Sequence, residues 1–565
     1  MPSRTPASLV ATVVAITVTL ALMGLGQSAG QERAGAVGTV ATTPEEAVKP
    51  NIVVVMADDM RADDLRFMPA VHDLVTTQGL KFRNSFSPYP LCCPARASFL
   101  SGQYAHNHQV LGNHRPFGFG SFDDSRTVAT ALRDAGYRTG FVGKYLNNYG
   151  LFDSRVTGKP SWDYVPAGWT DWYGALQRPP RLFDRYPSGG TYHYFHTIFN
   201  VNGRTDDTHK GEYQTNVLGR FSRKLVTKYS GGDKPFFLYF SALAPHNGHP
   251  HESDDVDSVR RPDGRVETFE TPARPDWVKG RFDRRILRSS GLPTKGGPSE
   301  ADVSDKPPAF RSPELNPLEH RLSTAVTRQR AESIAVLDTQ VRRLVQTLRD
   351  HGELDQTIFV FTSDNGYFLG EHRFRHGKVK GYEPSIRVPL LIAGPGIPHG
   401  VRNDPATTPD LTATILDLAS ASAPWPADGH SLVPSFDADR GWSTPVVTEA
   451  MTGPEYVGKE ELGFTDARTN IGIRTSRYKL IRDASGTVEL YDLDVDPNEL
   501  DSVADDPEYR AVRVELTRLW RKYKDCAGAA CSEPLPTSLV MSPAQLAVSS
   551  IAQSDGVLAR YGHVY

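Results

Sequence analysis

Cysteine is scarce in this chain, four in 565 residues, which excludes a fold stapled together by disulfides. Net charge is nearly absent as well. The 63 Lys and Arg residues face 66 Asp and Glu, a formal −3, so no overall field gathers nucleic acid or an anionic membrane, and neither is expected as a partner. Any preference for an anion must be built locally. Beyond residues 9–25 no apolar run approaches the length needed to cross a bilayer, so no stable membrane partner is expected. Internal repeats are absent too. What the chain does have is 39% hydrophobic content over a length suited to one large domain and a smaller one.

At the amino end Arg4 precedes the apolar run 9–25, and the small residues Gly26, Ser28, Ala29 and Gly30 follow. That pattern reads as a secretory signal within residues 1–36, followed by a Thr/Ala/Gly-rich linker to residue 49, so the chain is expected to be exported. An uncleaved amino-terminal anchor is the alternative. The cysteines fall into two pairs. Cys526 and Cys531 bracket a short loop and form an ordinary disulfide candidate in an oxidising compartment. Cys92 and Cys93 are adjacent, a spacing too strained for easy bonding, so they need another explanation.

Residues 51–57 (NIVVVMA) are continuously apolar and β-branched, as in a strand buried on both faces, and stop at Asp58 and Asp59. The pattern returns at 357–362 (TIFVFT) before Asp364 and Asn365, and at 235–242 (PFFLYFSA) before His246. Helical patterns at 127–135, 212–229 and 322–349 alternate with these strands, which predicts an α/β fold with a mostly parallel sheet flanked by helices. In open sheets of that kind ligands bind beyond the carboxyl ends of the strands, where Asp58, His246 and Asp364 are expected to converge. Residues 248–318, rich in Pro, Gly, Arg and Asp, read as a long surface excursion, either a wall of the site or a tolerated insertion. The catalytic domain is expected over 50–440. A smaller α+β domain follows over 441–531, with short strands at 471–474, 478–481 and 488–491 and a helix at 507–523, and then an unassigned tail, 532–565.

Asp58, Asp59, Asp364 and the carbonyl of Asn365 offer the hard oxygen ligands that Ca²⁺ or Mg²⁺ prefers. Each pair taken alone is equally well a turn or a helix cap. Pro94 suits the first turn of a helix, which would set Cys92 near a positive helix terminus with Arg96 on the same side, ready for an anion. A buried structural cysteine beside a helix start is the plainer alternative. His249 and His251 near His246 have loose spacing for zinc and no thiolate partner. His106, His108 and His114 read as surface or rim residues.

The segment CCPARASFLSG resembles the signature of the type I sulfatases: cysteine, any residue, proline, any residue, arginine, and a Leu-Ser/Thr-Gly close. The other motifs follow in the family's order over residues 51 to about 501. The resemblance implies an alkaline phosphatase-like fold and a hydrolase of sulfate esters. It implies that Cys92 is converted to formylglycine (3-oxoalanine) by a formylglycine-generating enzyme, and that the modified residue completes a Ca²⁺ shell with Asp58, Asp59, Asp364 and Asn365. GKYLN is similar to the segment whose lysine contacts sulfate, implying that role for Lys144; APHNGH implies it for His246 and GKVKGY for Lys378. Many members carry histidine two residues after the first lysine, where this chain has Leu146. PLCCPARAS and YAHNH are similar to the glucosamine-6-sulfatase and arylsulfatase-like branch, implying a sulfated sugar or aryl sulfate as substrate.

Such a site makes chemical sense. Calcium, Arg96, Lys144 and Lys378 can surround the sulfate oxygens, and a hydrated aldehyde has one hydroxyl to attack sulfur and a second to expel the product. His246, Lys378 and His372 are the candidate general acids. A phosphomonoester or phosphonate ester hydrolase of the same superfamily is the alternative function.

Overall fold

A computed structural model describes residues 49–177, 189–256, 258–261, 264, 266–452 and 460–564; the expected signal segment and nearly all of the linker lie outside the described residues. The strands, in chain order, are β1 (Asn51–Ala57), β2 (Gly79–Phe86), β3 (Arg138–Lys144), β4 (Asp171–Ala175), β5 (Phe199–Val201), β6 (Arg204–Asp206), β7 (Phe236–Ser241), β8 (Val259–Arg260), β9 (Val266–Glu267), β10 (Thr357–Ser363), β11 (Leu390–Ala393), β12 (Gly400–Thr407), β13 (Val446–Ala450), β14 (Asn470–Arg474), β15 (Tyr478–Asp483) and β16 (Val488–Asp492).

Ten of them form one sheet in the order β12-β2-β11-β10-β1-β7-β3-β4-β5-β6. The centre, β10-β1-β7-β3-β4, is parallel throughout, while β11 and β5 run antiparallel to their neighbours. The apolar run of β1 explains its central place. Val53 and Val55 point into the core on one face, and Ile52, Val54 and Met56 into the core on the other. Burying such side chains contributes roughly 1.5–3 kcal/mol each, so a strand without a polar face is stable only between two helical layers. One layer holds the Gln214–Tyr229 and Pro317–Asp350 helices, the other the Cys92–Ser101, Val128–Asp134 and Thr408–Leu418 helices.

The long helix begins at residue 317, earlier than its apolar periodicity predicts. Asn316 caps it, accepting from Leu318 and Glu319 N–H at 2.9 and 3.0 Å, and Glu319 reaches back to the Asn316 N–H at 2.8 Å. The excursion after His246 contains the β8–β9 hairpin. It is pinned by Arg274, whose guanidinium bonds Glu332 of the long helix at 2.7 Å and Glu252 at 3.0 Å.

The second sheet, β13-β14-β15-β16, is antiparallel. It carries the helix Arg510–Tyr523, whose Trp520 indole donates to the Ile471 carbonyl at 3.0 Å. β13 was not apparent in the sequence, and neither was the tail's helix, Pro543–Tyr561, with Ser542 as cap and Gln545 closing the capping box. That helix is anchored by Gln553, which donates to the Ser476 carbonyl at 2.9 Å. From Lys49 onward both sheets belong to one compact unit. Among the described residues no helix is long and apolar enough to cross a membrane.

Candidate active site

The site lies at the carboxyl ends of four adjacent strands, β10, β1, β7 and β3. β1 runs directly into Asp58 and Asp59, and Asp59 takes a left-handed φ of 67°. This turn aims the Asp59 N–H at Asp364 Oδ1, 3.0 Å away, and the Met60 N–H at Ser363 Oγ, 2.9 Å away. The ends of β1 and β10 are thereby stitched together. β3 ends on Lys144, and the chain after β7 brings in His246 behind Pro245.

Cys92 is the first residue of the Cys92–Ser101 helix, after an extended Leu91, and Pro94 falls in its first turn, as the sequence predicts. Arg96 stands one turn along on the same face. The Cys92 sulfur is 3.3 Å from Asp58 Oδ1, 3.8 Å from Asp59 Oδ1 and 2.8 Å from Lys378 Nζ. Arg96 Nε donates to Asp364 Oδ2 at 2.8 Å, and its Nη1 donates to the Lys144 carbonyl at 3.0 Å and to Ser241 Oγ. Lys144 Nζ bonds Asp58 Oδ2, and Lys378 Nζ bonds Asp59 Oδ1. Asn365 Nδ2 donates to Asp59 Oδ1 at 2.7 Å. His246 Nδ1 faces the Asn247 carbonyl at 2.7 Å, which leaves Nε2 toward the cluster, 3.6 Å from Asp59 Oδ2.

The charges explain one another. Burial opposes ionisation of Asp58, yet the charged Lys144, Arg96 and Lys378 together hold its carboxyl well below the usual range. Asp364 goes the other way, pushed up to about 6 by burial and by Asp58, against the pull of Arg96. Burial, with Asp58 beside it, pushes the Cys92 thiol up, so the unmodified side chain is a poor nucleophile at neutral pH. Burial pushes His246 down to about 4 and keeps its imidazole neutral. The Lys144 and Lys378 ammoniums are buried, and the surrounding carboxylates nevertheless raise both above the ordinary lysine value.

The residues fit a divalent cation. Donor atoms of Asp58, Asp59, Cys92 and His246 all lie within 4.8 Å of one another. Asn365 Oδ1 is buried with no hydrogen-bond partner, an orphan that a cation or a bound ligand would satisfy. Carboxylate and amide oxygens suit a hard ion such as Ca²⁺ or Mg²⁺.

His372 is placed elsewhere. Its Nδ1 pairs with Glu300 at 2.8 Å and its ring stacks on Tyr382 with centroids 4.5 Å apart. Among the described residues none of its polar or ring contacts is with the Cys92 cluster, and its Nε2 is buried without a hydrogen-bond partner. The excursion holds it there by supplying Glu300 as a buried partner. His106 and His108 are interior residues rather than rim residues: His106 pairs with Glu449 at 2.6 Å and His108 lies 3.0 Å from Ser98 Oγ. His251 pairs with Asp255 at 3.5 Å. Cys526 and Cys531 are bonded to each other. Sequence reasoning missed Ser241 and Arg330, the latter donating to the Asp59 carbonyl. The polar end of an otherwise apolar β7 signals Ser241, whereas an arginine in a long amphipathic helix gives no signal.

The mixed, mostly parallel sheet flanked by helices has an alkaline phosphatase-like fold, with carboxylates, cations and a helix start gathered at its carboxyl ends. A family model described as Sulfatase matches residues 50–421, and one described as N-sulphoglucosamine sulphohydrolase, C-terminal, matches 370–525. An arylsulfatase of Volvox carteri is 30% identical over 528 residues, covering 86% of this chain and 76% of its own. The N-acetylglucosamine-6-sulfatase of Homo sapiens is 27% identical over 528 residues, covering 86% of each. Two solved structures share the fold. One, in complex with its substrate D-glucosamine-2-N,6-O-disulfate, superposes with a TM-score of 0.62 at 20% identity over 84% of this chain and 98% of that one. The other, a phosphonate monoester hydrolase of Agrobacterium radiobacter, gives 0.57 at 23% identity over 87% and 99%. The chain belongs to the sulfatase family and is a sulfuric ester hydrolase.

Proposed function

We propose that this enzyme is exported and removes sulfate from sulfated sugars, using a formylglycine made from Cys92 by a formylglycine-generating enzyme and one Ca²⁺ per chain. Asp58, Asp59, Asp364, Asn365 and the side chain at position 92 would hold the ion; Mg²⁺ suits the same oxygen donors. The observation that carries the reading is the meeting of Cys92 with Asp58 at 3.3 Å and Lys378 at 2.8 Å, at a helix start backed by Arg96. A sugar substrate is supported by the N-acetylglucosamine-6-sulfatase relative and by the disulfated glucosamine in a structure of the same fold.

Calcium bound there supplies positive charge for the sulfate oxygens, and formylglycine supplies an oxygen nucleophile with a route for product release. The protein's own groups do the rest. Lys144 and Lys378 present ammoniums that neutralise the developing charge, and Arg96 holds Asp364 and the β3 end in place. His246, with Nδ1 engaged by the Asn247 carbonyl, offers Nε2 as a proton acceptor. Lys378 carries the proton that a departing alkoxide needs.

The test has two parts. Mass spectrometry of the peptide spanning Cys92, from a host that contains the generating enzyme, should show the aldehyde. Release assays on N-acetylglucosamine 6-sulfate, an aryl sulfate and a phosphonate monoester should favour the sulfate esters and fall to background in Cys92→Ala. An intact thiol in active enzyme, or faster release from the phosphonate, refutes the reading.

A further inference from the structure

The position two residues beyond Lys144 holds Leu146, which is sealed in the apolar core at 3% exposure and presents no polar atom to an anion. The polar group beside Lys144 comes instead from a loop that no motif marks. Tyr192 lies upstream of β5, with its ring centroid 5.0 Å from the Lys144 ammonium and 5.1 Å from the centroid of the His246 ring. Its hydroxyl accepts from Asn147 Nδ2 at 2.7 Å, and Asn147 is itself buried with its Oδ1 unpartnered. Backbone bonds fix the loop against the His246 segment: the His249 N–H donates to the Tyr192 carbonyl at 2.7 Å, and the Tyr194 N–H to the His249 carbonyl at 2.8 Å. Gly248 lies in this ladder because a Cβ there would stand 2.6 Å from the Tyr192 carbonyl oxygen.

A hydroxyl that accepts from Asn147 and faces the Lys144 ammonium still has its hydrogen to give. Burial pushes the phenol up to about 12 despite the Lys144 ammonium beside it, so it keeps that hydrogen at neutral pH. Among the described residues the hydroxyl donates no hydrogen bond. We propose that Tyr192, positioned by Asn147, donates a hydrogen bond to the sulfuryl group of the substrate, in the part of the site where Leu146 offers nothing polar. The inference rests on the sulfate-ester reading above.

Inorganic sulfate presents the same oxygens as the ester, so its binding to the metal-loaded, formylglycine-bearing enzyme reads the pocket without turnover. Tyr192→Phe removes only the hydroxyl. Loss of one hydrogen bond to a charged group predicts sulfate binding weaker by about 10- to 100-fold by calorimetry, with a matching fall in kcat/KM on 4-nitrophenyl sulfate. Tyr192→His keeps a ring and a donor and is expected to recover a good part of that affinity, which a purely packing role would not produce. Sulfate affinity in Tyr192→Phe within about twofold of the parent, or equal losses in both variants, overturns the proposal. Weakened sulfate binding in the phenylalanine variant, with no ester cleaved by parent or variant, upholds Tyr192 and refutes the reaction reading instead.

Discussion

Arg96→Lys keeps the positive charge and removes the fork, which makes it a test of geometry rather than of charge. The guanidinium bonds Asp364 at 2.8 Å, the Lys144 carbonyl at 3.0 Å and Ser241 Oγ, and its Nη2 sits 3.6 Å from Asp58. An ammonium is a single point on a shorter reach and cannot meet groups spread over four strand ends. Two of these bonds should be lost, and a bond involving a charged group contributes roughly 1.5–3 kcal/mol. Allowing for relaxation, the expected loss is about 3 kcal/mol of transition-state stabilisation, or roughly 150-fold in kcat/KM. Initial rates on an aryl sulfate at saturating calcium measure it, and a melting curve separates local from global damage. A lysine variant within about threefold of the parent refutes the reasoning, because charge alone would then suffice.

Asp364→Ala should lose bound metal and activity together; elemental analysis that finds the parent's metal content in the variant removes Asp364 from the shell. Chelation should abolish activity and lower the melting temperature, and added calcium should restore both, since an ion bound only to the native state stabilises it by mass action. Replacing Cys526 and Cys531 by serine opens a five-residue separation and should cost about 2 kcal/mol of stability on loop-closure grounds, with kcat/KM unchanged. The fourth test concerns His430, which Asp410 raises to about 9 from an ordinary 6.5. A group whose native pKa is raised stabilises fully below its unfolded pKa and loses that contribution as pH climbs to the native value. The melting difference between parent and His430→Gln should therefore be largest near pH 6 and shrink toward pH 9; a difference constant with pH contradicts the pairing.

The central strands were legible because burial on both faces forces continuous apolar runs, and β1, β7 and β10 appear within a residue or two of where those runs lie. Their polar ends showed which residues could converge, and the structure brings Asp58, Asp59, Cys92, Arg96, Lys144, His246, Asp364, Asn365 and Lys378 into one linked cluster. The edge strands were not legible. β5 and β6 are three residues each, too short to show a period. The tail helix was missed because its composition is mixed, although Ser542, Pro543 and Gln545 spell a capping box that names its start. His372 was misplaced for a different reason: a motif fixes sequence neighbours, whereas its partner Glu300 comes from the excursion and is invisible to any local pattern. Tyr192 escaped for the same reason, since its approach to Lys144 is made by the β5 loop and not by the motif itself.

The thiol at position 92 has no exposed surface, and the entire helix that it opens is buried. An enzyme that converted this side chain to an aldehyde could reach it only before the helix and the sheet enclose it. On the proposed formylglycine reading, conversion would therefore have to precede folding, and material folded with its thiol intact would need unfolding before it could be converted.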